Sequence, residues 1–140
     1  MFSKILVPVD LNKPKMLESL CQAAAELAKA NNADITLMTV LPGYSMPMVA
    51  SYFPEDAQKR LKVETREALD KLAKQYFSDS KVSVKSGKRA KEIVKTANEG
   101  AYDLVIIGAR RKHSRGSERL LGSCSQSVSD RSACSVMIVR

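Results

Sequence analysis

Tryptophan is absent from this 140-residue chain, aromatic residues make up only 5% of it, and histidine occurs once, as His113. A lone histidine excludes an H-E-x-x-H zinc site, and any Ser–His–Asp triad would have to be built on His113 itself. Three cysteines, Cys21, Cys124 and Cys134, form an odd set with no C-x-x-C pair, which fits a reducing compartment. No apolar run approaches the roughly 20 residues that cross a bilayer. The opening stretch Met1 to Pro8 lacks the longer apolar region and small-residue cleavage site of a signal peptide. The chain is therefore expected to be soluble and cytoplasmic, with no membrane span. Two common phosphate motifs are missing as well. Gly116 to Gly122 has the wrong spacing for G-x-x-x-x-G-K-[ST] and no lysine before Ser123, and no G-x-G-x-x-G follows any strand.

What remains is a well-mixed composition: 44% apolar and 27% charged residues in 140. That excludes a disordered tail or a fibrous repeat and fits one domain spanning residues 1–140. A chain of this length buries about 68–70% of its unfolded surface, so it needs no disulfide or metal staple. The formal net charge of +8 points to an anionic partner such as nucleotide, nucleic acid or lipid head group.

Apolar periodicity alternates between two kinds of segment. Ile5 to Val9 is a short continuous run, as expected of a strand covered on both faces. Leu17, Leu20, Cys21, Ala24, Leu27 and Ala28 then trace one helical stripe, with Asn12 and Pro14 at its entrance and Asn31-Asn32 at its exit. Ile35, Leu37, Met38 and Val40 make a second strand, closed by Pro42-Gly43. After a loop from Gly43 to Pro54, Leu61, Ala68, Leu69, Leu72 and Tyr76 mark a long charged helix. Val82 and Val84 form a third strand with the look of an edge. Ala90, Ile93, Val94 and Ala97 form a third helical stripe that stops at Gly100. Leu104 to Ile107 is the most apolar strand and ends at Gly108, and Val136 to Val139 is the fifth. Strands separated by helices in this way predict an α/β fold: a doubly wound five-stranded parallel sheet with helices on both faces.

Ligands of such sheets bind beyond the carboxyl ends of the strands, where strand order reverses. For the order 3-2-1-4-5, that point lies between the first and fourth strands. Pro8, Val9 and Asp10 would then face Gly108 and the residues after it. Asp10 is placed to accept a hydrogen bond from a ribose hydroxyl, although aspartate in this position also turns the chain before a helix. From Arg110 to Arg119 there are five Lys or Arg residues and one Glu, half of the chain's net charge. Gly122-Ser123-Cys124-Ser125 follows and is expected to open the fourth helix, with Ser123 as N-cap. A glycine entrance to a helix N-terminus suits an anion by geometry and by dipole; an ordinary capped helix after a solvated basic loop fits the same residues.

Lys4-Ile5-Leu6-Val7-Pro8-Val9-Asp10, Val105-Ile106-Ile107-Gly108, Leu120-Leu121-Gly122-Ser123 and Cys134 to Arg140 together resemble the universal stress protein family along the whole chain. The resemblance implies a parallel sheet in the order 3-2-1-4-5 and, in nucleotide-binding members, a G-x2-G-x9-G-[ST] motif that holds ATP or related adenine nucleotides. Carried over, Gly108 is the first glycine and Gly122-Ser123 the last pair. Pro8, Val9 and Asp10 lie near adenine and ribose, the Val40 backbone meets the adenine edge, and Ser123, Cys124 and Ser125 offer N–H groups and hydroxyls to phosphate. Two departures stand out. Arg111 occupies the place of the middle glycine, and ten residues rather than nine separate it from Gly122. An arginine cannot permit the close backbone approach that glycine does, but Arg110 and Arg111 can present donor forks to phosphate oxygens.

The expected function is an adenine-nucleotide (ATP or AMP, with Mg2+ as a companion ion) binding stress-response or regulatory module that works through a protein partner. No general base for hydrolysis is visible, so any ATPase activity should be slow; no catalytic residue and no metal ligand is assigned. One alternative is an oligomeric adaptor that has lost nucleotide binding, for which Arg111 and the lengthened loop speak. The other is a nucleic-acid-binding protein using Arg110 to Arg119 as a phosphate-tracking arm, against which stand the few aromatics and the lack of any reading motif. A homodimer or tetramer through the edge strand Val136 to Val139 is expected in either of the first two cases. Cys124, at a helix N-terminus near cations, has the setting of a reactive thiol, yet a small residue for close packing explains it as well. The Met and aromatic residues between Gly43 and Pro54 suit a lid, an interface or a satellite apolar cluster, and His113 a solvated loop.

Overall fold

The structure is a computed structural model and describes residues 1–43, 54–109 and 121–140. The short apolar runs become strands β1 (Lys4–Pro8), β2 (Asp34–Leu41), β3 (Lys81–Ser86), β4 (Leu104–Gly108) and β5 (Ser135–Val139). Between them lie helices α1 (Pro14–Asn31), α2 (Glu55–Tyr76), α3 (Arg89–Glu99) and α4 (Ser123–Arg131). All strand pairs are parallel and their order is β3-β2-β1-β4-β5, as the alternation of strand and helix predicts. β3 is an edge strand, and so is β5.

The pleat explains why Ile5 to Pro8 of β1 and Leu104 to Ile107 of β4 are apolar at every position. Ile5, Val7, Leu104 and Ile106 point to one face, under Leu20, Cys21 and Ala24 of α1 and Leu69 and Ala73 of α2. Leu6, Val105 and Ile107 point to the other, under Ile93 and Ala97 of α3 and Val128 of α4. A period of two thus fills two cores at once. Within its core Cys21 is fully buried, and burial pushes its thiol up to about 11, so it behaves as an inert small hydrophobe.

The helix stripes show where periodicity misled. In α2 the buried residues are Thr65, Leu69 and Ala73, with Leu72 and Tyr76 packed beside them; Ala68, expected in the stripe, is exposed. The threonine and alanine carry too little apolar surface to stand out from a charged helix, yet their methyl groups suffice at close approach to the sheet. α1 ends on Asn32 in the left-handed conformation (φ 50°, ψ 45°). Gly100 caps α3 at φ −82°, and the left-handed residue is its neighbour Ala101 (φ 52°). Gly100 is there for space, because a Cβ would lie 2.5 Å from the Tyr102 ring and 2.8 Å from the Thr96 carbonyl.

The amino ends of β1 and β4 are tied by Asp103. Its carboxylate accepts from the Ser3 N–H (2.7 Å), the Ser3 hydroxyl (2.8 Å) and the Lys4 N–H (3.0 Å). Lys4 in turn donates to the Gly100 carbonyl (2.6 Å) and lies over the Tyr102 ring. The Ser3 backbone bond above all, with Lys4 and the Ser3 hydroxyl, holds the Asp103 carboxyl below the usual carboxylate range. A depressed folded-state pKa contributes stability that is fully present above the unfolded value, near 3.9, and is lost as pH falls through the folded value. Asp103→Asn is therefore expected to destabilise the protein by roughly 1–3 kcal/mol at pH 7, and to flatten the loss of stability below about pH 4. Urea melts at pH 7 and pH 3 check both; parallel wild-type and variant curves would refute the assignment.

Candidate functional site

Two cavities open at the carboxyl ends of the strands, on either side of one ion pair. The larger, about 620 Å³, lies at the switch point between β1 and β4. Its wall includes Pro8 and Asp10 after β1, Lys13 to Leu17 at the start of α1, Ile107, Gly108 and Ala109, Cys124 and Ser125 of α4, and Arg140. The smaller, about 320 Å³, lies between Val9 to Asn12, the end of β2 from Thr39 to Pro42, and Leu61, Glu64, Thr65 and Ala68 of α2. Both volumes fall in the range of small-molecule sites. Asp10 and Arg89 line both cavities, and Arg89 Nη1 donates to Asp10 Oδ2 at 3.2 Å.

Asp10 holds its place through the turn it makes. Its Oδ1 accepts from the Asn12 N–H at 3.0 Å, so the chain-turning and ligand-facing readings of this aspartate apply together. Arg89 reaches it from the first position of α3, right after β3, across 79 residues of sequence. The charges around the larger cavity are unequal. Among the described residues its wall carries the cations Lys13, Lys15, Arg89 and Arg140 against the single side-chain carboxylate of Asp10, which favours an anion.

The end of β2 adds a backbone edge. The Val9 N–H donates to the Met38 carbonyl (2.8 Å), and the pairing of β1 with β2 stops at Pro8–Met38. Backbone direction alternates along a strand, so Val40, two residues past Met38, turns its N–H and C=O to the same side, beyond the end of β1. Leu41, one further, faces the opposite way and accepts from the Gly87 N–H (3.0 Å). The Thr39 hydroxyl donates to the Val9 carbonyl at 3.0 Å and ties the two strand ends. Val40 thereby presents an adjacent donor and acceptor to the smaller cavity.

The structure corrects the start of the fourth helix. Ser123, expected as N-cap, is the first helical residue; the N-cap is Gly122 (φ −62°, ψ 154°), with no side-chain capping bond. Gly122 is buried and Ser123 exposed. Ser125 is buried, and its hydroxyl donates to the Gly108 carbonyl at 3.0 Å, fastening α4 to the end of β4. Gly108 has a structural reason for lacking a side chain: a Cβ would meet Met16 Cγ at 2.8 Å and Sδ at 2.9 Å, where α1 crosses over β4. The structure thus gathers Pro8, Asp10, Gly108, Cys124 and Ser125 around one cavity and Val9, Asp10 and Val40 around the other. Arg110, Arg111, His113, the basic run to Arg119, and the Met and aromatic residues of 44–53 lie outside the described residues.

Sequence reasoning did not single out Arg89, Lys13, Lys15 or Arg140. Lys13 and Arg89 carried a signal, since both follow strand ends on the side where parallel sheets bind ligands. Nothing in the spacing says that Arg89 pairs with Asp10.

Comparison with known proteins agrees with this fold. The family model described as the universal stress protein family matches residues 1–140. Universal stress protein YxiE of Bacillus subtilis is 30% identical, over 100% of both chains. The universal stress protein UspA from Lactobacillus plantarum superposes with a TM-score of 0.73 at 23% identity, over 99% of this chain and 98% of that one. A universal stress protein solved in complex with cAMP superposes with a TM-score of 0.69 at 25% identity, over 99% of this chain and 97% of that one. A sheet in this order, a family match from the first residue to the last, and relatives matched along their full length together mean that the chain belongs to the universal stress protein family.

Proposed function

We propose that the protein binds an adenine nucleotide, ATP or AMP, across the two cavities, and that it acts as a regulatory module of the stress response through a protein partner. The observation that carries this reading is the Val40 backbone edge and the cation-rich cavity flanking one carboxylate. A purine ring needs a donor and an acceptor side by side, which Val40 offers at the smaller cavity. A ribose hydroxyl donates to Asp10 between the cavities, and phosphates lie among Lys13, Lys15 and Arg140 in the larger one. The cAMP complex of a relative 25% identical to this chain supports an adenine ligand. In this reading Gly108, Gly122, Ser123 and Cys124 line the approach of the phosphates, Arg110 and Arg111 reach them from the basic run, and Mg2+ arrives with the polyphosphate.

Turnover of ATP is slow or absent in this proposal. β5 is an edge strand with Met137 38% exposed, and we assign to it the pairing of two copies into a homodimer.

Equilibrium dialysis of the purified chain with ATP and AMP tests the reading. The expected result is saturable binding that Gly122→Val weakens at least about tenfold, the side chain blocking the approach at the helix start. The φ and ψ of Gly122 suit any residue, so the substitution probes space and not backbone strain, and a thermal melt confirms that the variant folds. Absence of binding by the wild-type chain would overturn the proposal in favour of an adaptor without nucleotide.

A further inference from the structure

The ion pair between the two cavities has a consequence for which nucleotide fits. A purine on Val40 and phosphates in the larger cavity put the ribose at the wall the cavities share, against Asp10 and Arg89. An ionised carboxylate only accepts hydrogen bonds, and a guanidinium only donates. A ribose with both hydroxyls free answers Asp10 but offers Arg89 no more than neutral oxygens. A phosphate ester on the 2′ or 3′ oxygen changes that. It gives Arg89 an anionic, forked acceptor, while the remaining hydroxyl still donates to Asp10. The same pairing of roles, a carboxylate for a free ribose hydroxyl and an arginine for a phosphorylated one, separates the two dinucleotide classes in doubly wound folds.

We infer that Arg89 is a specificity-determining residue and that, resting on the nucleotide reading above, the site prefers adenine nucleotides that carry a phosphate on the ribose 2′ or 3′ oxygen. Its side chain is 37% exposed while paired at 3.2 Å with Asp10, so the guanidinium has a defined position and still faces the ligand space. The pair also offsets the repulsion that Asp10 alone would exert on such a phosphate.

Isothermal titration of the full chain with AMP, ADP, adenosine 2′,5′-bisphosphate and adenosine 3′,5′-bisphosphate tests this. ADP is the control, because it carries its second phosphate at the 5′ end. Wild-type protein is expected to bind one of the bisphosphates at least about tenfold tighter than ADP. Which one identifies the ester oxygen, and 3′,5′-cyclic AMP tells an open ester from a bridging one. Arg89→Ala is expected to bring that ratio close to one, and Arg89→Lys to keep part of the preference. The inference fails if the wild-type chain binds ADP as tightly as both bisphosphates, or if Arg89→Ala weakens ADP and bisphosphate alike. Those outcomes leave nucleotide binding standing, whereas binding of none of the four ligands removes both.

Discussion

Asp10→Ala is expected to weaken adenosine binding by about 10- to 100-fold and ATP binding by less. The difference follows from two opposing effects. A hydrogen bond from a ribose hydroxyl to an ionised acceptor contributes about 1.5–3 kcal/mol, which is lost for every ligand carrying a ribose. The same carboxylate repels phosphates in the larger cavity, and its removal relieves on the order of 1 kcal/mol for a polyphosphate in partly solvated surroundings. Adenosine has no phosphate and shows the first effect alone. Removing Asp10 also frees Arg89 from its partner and opens the turn at Asn12, but these contacts are partly exposed and should cost the fold no more than about 1 kcal/mol. Isothermal titration with adenosine, AMP and ATP against both proteins measures the series. A 2′-deoxy or 3′-deoxy adenosine that loses as much as the substitution does, with no further loss when the two are combined, would identify the hydroxyl that Asp10 receives. Equal losses for adenosine and ATP would refute the balance, and no loss at all would move the ribose elsewhere.

The fold was readable because its strongest demands are repetitive. A strand covered on both faces must be apolar at every position, and Leu104 to Ile107 meets that demand without exception. Once strands of this kind and alternating edge strands are interleaved with helical stripes, chirality and connection length leave few topologies. Asp10 was readable for a related reason: it follows a central strand on the side where parallel sheets bind ligands. Thr65 and Ala73 were not, because contact between a helix and a sheet rewards small residues that hydropathy scarcely registers. The helix cap went to Gly122 and not Ser123 because glycine is also a favoured cap. Arg89 shows the deeper limit. Charge in a sequence is a sum, and the obvious concentration was the run from Arg110 to Arg119. The cations on the described wall of the larger cavity come from scattered positions instead, Lys13, Lys15, Arg89 and Arg140. Only the three-dimensional arrangement brings them to one place.

Two truncations on neighbouring residues of β4 should separate the scaffold from the site. Ile106 and Ile107 are both fully or almost fully buried, at 0% and 1% exposure, but on opposite faces of the sheet. Replacing either with alanine removes three carbons from a packed core and leaves a cavity, at a cost of about 3–4 kcal/mol. Against a total stability of about 5–15 kcal/mol, that is a fall in melting temperature of roughly 10–15 °C for a domain of this size. Here the resemblance between the two ends. Ile106 faces α1 and α2 and lines neither cavity, whereas Ile107 lies in the wall of the larger one. Ile106→Ala is therefore expected to leave nucleotide affinity unchanged at temperatures where the variant remains folded. Ile107→Ala should lower it by about three- to tenfold, through lost apolar contact worth about 1 kcal/mol. Urea denaturation gives the stability of each variant, and dialysis with AMP well below both melting points gives the affinity. If the two variants bind AMP equally well, the ligand does not rest against the end of β4, and the larger cavity is not where its phosphates lie. If both lose affinity in proportion to their lost stability, the site answers to the whole fold and not to the wall at Ile107.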